Sequence, residues 1–322
     1  MAAFSAPFLR HPAAPWLLGT VVVTVPFWLA NQYVVHLLIM AGLFAMLAIS
    51  LNLLLGYTGQ LSLGHAAFFG IGAYTSALLD FHLGLPFWIG LPAAAVMSGL
   101  AGLLIGRLSF KVRGAYFVLV TISFAEVVRL VSLNWMDLTQ GPLGLPGIKP
   151  PRIQLGSLVD IPFQGKAAYY WLVLLMAALA YLVASRVVRS RLGRAFVALR
   201  ENETLAESVG IDAFRVLVLA TVLAAVIAGM AGSVYAHYVS FVGPEVFMFS
   251  YTITMVIMVI AGGKGTLLGP VVGALLFTAV PELLREAQQF QMSIYGAVLI
   301  LLVLFMPRGI VPTLRARRAN AP

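Results

Sequence analysis

The chain of 322 residues is 61% hydrophobic and only 10% charged, with a net charge of +9 and no cysteine. That composition excludes a disulfide framework, a thiolate metal site and a cysteine nucleophile. It also excludes an ordinary soluble domain, because apolar stretches of roughly 17 to 25 residues, long enough to cross a hydrocarbon core about 30 Å thick, recur along the chain.

In such a protein an excess of Lys and Arg marks cytoplasmic loops rather than affinity for nucleic acid. The opening stretch, MAAFSAPFLRHPAAPWLLGTVVVTVPFWLA, reads as a first spanning helix and not as a cleaved signal peptide, whose apolar core is shorter and ends at small residues. Apolar segments then fall at 14–30, 35–55, 64–80, 86–106, 114–133, 167–185, 214–236, 248–262, 267–283 and 293–306. Residues 1–322 are read as a single domain, an all-α polytopic transmembrane helical bundle of about ten segments, some broken by glycine. With a cytoplasmic N-terminus, fifteen of the twenty Lys and Arg lie inside; Arg129, Lys149, Arg152, Lys166 and Arg285 do not. That asymmetry favours an even number of spans and places both termini in the cytoplasm.

The first segment with functional content is GYTGQLSLGHAAFFGIGAY, Gly56 to Tyr74. Glycine costs about 1 kcal/mol against alanine in a helix, and backbone groups freed in lipid cost several kcal/mol each. A stretch carrying Gly56, Gly59, Gln60, Ser62, Gly64 and His65 must therefore be buried in protein or face water. Further along, Glu126 and Arg129 sit three apart on one helical face, where they can pair. A charge at membrane depth costs about 2.5–3.5 kcal/mol on insertion scales, so the pair is either a structural ion pair or part of a solute path.

The connection NWMDLTQGPLGLPGIKPPRIQLGSLVDIPFQGK, within 134–166, is rich in Gly and Pro and has no helical period, which predicts loop or short extended structure. It is either a connector or an external docking surface. The following polar passage, 194–212, contains ALRENETLAESVGI. Its apolar positions Ala195, Ala198, Leu199, Leu205 and Val209 fall at spacings of three and four, its glutamates are polar, and Gly210 suits a helix end. Such a stripe must be covered by the membrane surface, by the chain's own bundle or by another protein; the acidic residues disfavour an anionic membrane surface, which leaves a docking helix as a serious option.

Late in the chain, GGKGTLLGPVVGALLF, Gly262 to Phe277, repeats the G-x-x-G-x-L pattern of Gly56, Gly59 and Leu61. Glycine-interrupted segments in both halves point to a transport pathway built on broken helices, although small residues spaced by four also let helices pack closely. No metal-ligand spacing joins His65, His237 and Glu245, no catalytic grouping is found, and GGKGT lacks the spacing of a phosphate-binding loop.

Together with GAVLILLVLFMPRGI near the end, these motifs resemble the permease subunits of branched-chain amino acid ABC importers, and among their two paired permeases the longer one. The resemblance runs from about residue 35 to 310. It implies a non-enzymatic subunit in a bacterial inner membrane that binds no cofactor, with ATP and Mg in partner subunits. Its partners would be a second homologous permease, two ATP-binding subunits, a periplasmic solute-binding protein and membrane lipid. Arg200, Glu201, Glu203, Ala206, Glu207, Gly210 and Ile211 match the position of a coupling helix. Here ETLAESVG keeps Glu203, Ala206 and Gly210 of the import pattern but has Thr204 or Leu205 in place of its first alanine. Gly56, Gly59, Gln60, Ser62, Gly64, His65 and Glu126 are the candidate path residues. A gradient-driven transporter of small solutes is the alternative, and Glu126, Arg129 and His65 would be its membrane-depth ionisable groups.

Overall fold

The computed structural model describes residues 31–110, 115–155, 159–163 and 165–283, followed by 296, 300, 304, 306 and 309–319. The segment expected at 14–30, and 293–306 apart from isolated positions, lie outside the described residues. Among those described, five helices are long and apolar enough to cross a membrane.

Helix α1, Gln32–Asn52, starts where the Asn31 side chain accepts the Tyr33 N–H at 2.9 Å. It runs into a wide helical turn, Leu53–Thr58, that ends at Gly59 with φ 75°. After a short irregular stretch, α2 spans His65–Leu83 and closes at left-handed Gly84. Helices α3, Phe87–Ser109, and α4, Ala115–Asn134, follow. α5 spans Lys166–Arg189, α6 Arg191–Glu201, α7 Glu203–Ser208 and α8 Ala213–Val239. Two shorter apolar helices, α9, Phe249–Gly262, and α10, Gly269–Leu283, form a hairpin, and α11 spans Ile310–Ala319. At about 1.5 Å per residue, neither α9 nor α10 alone covers a hydrocarbon core about 30 Å thick.

α8 is the hub. Two-thirds of its apolar window is buried, against 22% for α4, which lies at the rim. It packs on α3, α2 and α1, and small residues make this close approach possible: Gly102 of α3 faces Ala225, Gly229 faces Ser98, and Gly232 lies against the Phe69 carbonyl. Such small-residue seams replace hydrophobic driving force as the means of association in lipid. Around them lies a core that includes Ile39, Met46, Leu54, Phe68, Phe69 and Met255.

The two ends of the bundle differ. At one end, the connection between α4 and α5 carries the short extended structure expected of it. Strand β1, Leu145–Pro146, pairs antiparallel with β4, Phe241–Val242, while β2, Arg152–Leu155, and β3, Val159–Pro162, form a hairpin. At the other end, the α5–α8 connection folds into an elbow of two short helices. The single amphipathic helix expected over 194–211 is interrupted at Asn202, whose extended backbone (φ −161°) ends α6 and whose Oδ1 accepts the Leu205 N–H at 3.0 Å to start α7. A side chain that caps the next helix competes with continuing the first.

Candidate functional site

The two glycine motifs, more than 200 residues apart, meet at the elbow end. Asn52, buried at the end of α1, donates from Nδ2 to the Thr266 carbonyl (2.8 Å), and its Oδ1 accepts the Gly265 N–H (2.9 Å). One carboxamide thereby clamps the α9–α10 turn against the wide turn. Gly265 (φ 73°) lies where any β-carbon would stand 3.1 Å from the Gly56 carbonyl oxygen and 2.9 Å from Arg200 Nη1. Its positive φ favours glycine, and a side chain there would also displace the Arg200 guanidinium and crowd the Gly56 carbonyl.

Arg200 joins the elbow to that junction. From the end of α6 its Nη1 donates to the Gly56 carbonyl at 2.8 Å. This carbonyl belongs to the last turn of a helical segment, where acceptors lack helical partners. The same guanidinium grips Glu201 through Nη2 at 2.6 Å and Nε at 3.1 Å. Its aliphatic stem covers Gly59, where a β-carbon would lie 3.0 Å from Cγ. Gly59 is thus held at φ 75° directly beneath the elbow.

Beyond Gly59 the chain turns inward. Gln60 donates its N–H to the Leu54 carbonyl at 3.1 Å and is half-buried. Ser62 and Gly64 are buried; the adjacent Leu63 N–H donates to Thr121 Oγ1 at 3.2 Å, and Gly64 lies against the Thr121 carbonyl. His65, at the start of α2, is fully buried and its Nε2 shares a hydrogen bond with Ser50 Oγ at 2.7 Å, while Nδ1 has no partner. The neighbouring Ala66 N–H donates to Thr252 Oγ1 at 3.0 Å. The N–H groups of Gln60, Leu63 and Ala66 in this break are therefore met by protein, and α1, α2, α4 and α9 all contribute groups around it. Glu126 stands apart from this group: half exposed on α4, it pairs with Arg129 through both carboxylate oxygens, Nε to Oε2 at 2.9 Å.

On the elbow itself, Leu199, Ala206, Ala213 and Leu217 form a small buried cluster, with Ile211 and Phe110 packed against it. Ala206 is the inward anchor of α7. Glu207 and Gly210 are exposed, Glu201 is exposed beside Arg200, and Glu203 is half-buried. Leu205 and Val209 of the expected apolar stripe point away from the bundle, 63% and 72% exposed. The elbow thus has an apolar inner face that fixes it to the bundle and a second, uncovered apolar edge ringed by glutamates.

No local pattern in the sequence marks Asn52. It occupies an unremarkable place in LNLLLGY, and its partners lie in another half of the chain. Nor does any local pattern mark the network at the opposite end of the bundle. There His237, buried near the end of α8, shares a hydrogen bond with Ser76 Oγ (2.9 Å) and one with the Lys149 carbonyl (2.6 Å), while Ser233 Oγ donates to Ser76 Oγ (2.8 Å). Asp80 Oδ2 accepts the Lys149 N–H at 2.7 Å. Asp80, Lys149, Arg152, Trp88 and His237 line a recess of about 480 Å³ at that end. Among the described residues no cluster of His, Cys, Asp and Glu could hold a metal ion.

The profile of the family described as the branched-chain amino acid transport system permease component matches residues 33–307. The chain is 32% identical over 308 residues to the high-affinity branched-chain amino acid transport system permease protein LivM of Escherichia coli K12, covering 90% of this chain and 72% of the relative. It is 24% identical to the probable LivM permease of Methanocaldococcus jannaschii, over 86% and 92% of the two chains. To E. coli K12 LivH it is 26% identical, over 83% and 91%. No solved structure is a significant match. With most of its length inside one family profile, and with a helical bundle whose glycine motifs converge beneath a polar elbow, the chain belongs to the family of branched-chain amino acid transport system permease components.

Proposed function

We propose that the chain is the membrane-spanning permease of an ATP-binding-cassette importer and forms half of a translocation path for branched-chain or related apolar amino acids. It works with a second homologous permease, two ATP-binding subunits that carry ATP and Mg, and a periplasmic solute-binding protein. It lies in a bacterial inner membrane with the elbow and both termini in the cytoplasm. Arg186, Arg189, Arg191, Arg194, Arg200 and Arg215 around the elbow support that orientation.

The observation that carries this reading is the Arg200 contact. An importer must alternate between states open to either side, and its solute and its motor must each favour those states differently. Leu205 and Val209 offer an apolar edge to an ATPase, and Glu201, Glu203 and Glu207 surround it. A push on α7 is handed through α6 and Arg200 to Gly56, Gly59 and Gly265, where α1, α2 and the α9–α10 turn meet. A path beside this junction, with Gln60, Ser62 and His65 as its candidate polar groups, suits small zwitterions with apolar side chains.

The test is co-purification. The tagged chain is expressed with its genomic neighbours, extracted gently and assayed for ATP hydrolysis. Retention of ATP-hydrolysing subunits, lost when 201–211 is altered, is the expected result. A clean single-chain preparation that transports solute by itself would overturn the reading.

A further inference from the structure

A groove of about 710 Å³ runs along the outer surface between α3 and α8. The helices are antiparallel there, since Gly99 faces Val226 and Gly106 faces Val218. Ala95, Val96, Gly99, Leu100 and Leu103 form one wall, and Leu219, Val222 and Val226 belong to the other. Val96 and Leu100 are more than half exposed. The glycine at 99 removes a side chain from the floor, so the groove is a furrow and not a flat face.

Its two ends are chemically unlike. One end, near Ala95 and Val226, is wholly apolar. At the other stand Arg107 and Arg215, one from each helix. Arg107 is exposed and has no acidic partner among the described residues. Arg215 is 85% exposed and pairs with Asp212, Nε to Oδ2 at 2.9 Å. From Ala95 to Arg107 the helix rises about 18 Å at about 1.5 Å per residue. That length matches one leaflet of a hydrocarbon core about 30 Å thick plus the entry to the headgroup layer.

We infer that this groove is a binding site for an anionic phospholipid, with one acyl chain lying along the furrow and its phosphate held between Arg107 and Arg215. The apolar walls suit an acyl chain and offer no polar group to recognise anything else. The paired guanidiniums suit a phosphate, which accepts two parallel N–H bonds from a planar fork. Asp212 offsets part of one positive charge and leaves Arg107 as the stronger partner. The site depends on the chain spanning a membrane and not on its transport role.

The protein, purified with its co-expressed partners, is equilibrated in mixed micelles of phosphatidylglycerol and phosphatidylcholine, and retained lipid is read by native mass spectrometry. The wild type is expected to retain phosphatidylglycerol selectively. Arg107→Gln combined with Arg215→Gln should lower that retention about tenfold or more, since each basic residue near an anionic surface contributes about 1 kcal/mol. Ala95→Phe, which fills the apolar end and leaves both arginines, should lower it as well. No selectivity in the wild type, or full selectivity in the double variant, overturns the site.

A second measurement uses the absence of native cysteine. Leu100→Cys is labelled with benzophenone maleimide and photolysed in native membranes. An adduct of phospholipid mass supports the site, whereas a crosslink to a second membrane subunit shows that protein covers the groove and overturns it.

Discussion

Replacing Arg200 by alanine removes the hydrogen bond from the elbow to the Gly56 carbonyl of the broken helix, and its effect can be worked from that contact. A hydrogen bond from a charged donor contributes about 1.5–3 kcal/mol. Arg200 is about one-third exposed, so water weakens the bond and the lower end, about 1.5 kcal/mol, applies. At about 1.4 kcal/mol per factor of ten, that is roughly a tenfold loss in any equilibrium or barrier that depends on the contact. The assay is solute uptake and solute-stimulated ATP hydrolysis in proteoliposomes, each normalised to assembled complex. Basal hydrolysis and assembly should change little, since the outward edge of α7 is untouched. Glu201→Gln is the companion: it breaks only an exposed ion pair, worth at most about 1 kcal/mol, and should cost less than about fivefold. Arg200→Ala at wild-type uptake with normal assembly would refute the reasoning. So would Glu201→Gln that is as damaging as Arg200→Ala, because the surface pair and not the Gly56 contact would then matter.

Leu205→Asp should leave the stability of the chain within about 0.5 kcal/mol, as exposed substitutions do, yet remove ATPase subunits from a pull-down; retention at wild-type yield would count against α7 as the docking edge. Gly64→Ala places a methyl inside the Thr121 carbonyl, an overpacking of about 3 kcal/mol or more, and should abolish folded protein on detergent size-exclusion chromatography. His237→Ala leaves the Lys149 carbonyl without its donor and takes one of two partners from Ser76, which keeps Ser233, costing about 1–3 kcal/mol. It should speed proteolysis within 134–166 while elbow-dependent ATPase binding stays intact.

The hydrophobic lengths made the bundle legible, and α1 to α5 and α8 to α10 lie where apolar segments are expected. The expected total of about ten spans is not reached among the described residues, and α9 and α10 pair as a short hairpin. Glycine content also pointed to both halves of the junction, because a residue that weakens a lipid-facing helix needs a reason to be there. What holds the halves together was not legible. Asn52 and the turn at Gly265 are joined by a carboxamide whose two bonds span more than 200 residues, and no local period encodes such a pairing. The break at Asn202 had a visible signal, an Asn followed by Glu at a helix start, but the spacing of Ala198, Leu199, Leu205 and Val209 suggested one continuous stripe. Tertiary packing splits that stripe: Leu199 and Ala206 turn inward, and Leu205 and Val209 outward.

The grip on residue 149 has an evolutionary consequence. Asp80 and His237 hold its backbone N–H and carbonyl, while its side chain is 66% exposed and approaches Asp80 Oδ1 only at 4.0 Å. The position is therefore anchored through atoms that nearly every amino acid possesses. Its side chain can shorten or lose its charge without loosening the bundle, whereas an acidic side chain there would face the buried Asp80 carboxylate, so the outward surface can adapt to a changing partner only as far as that carboxylate allows.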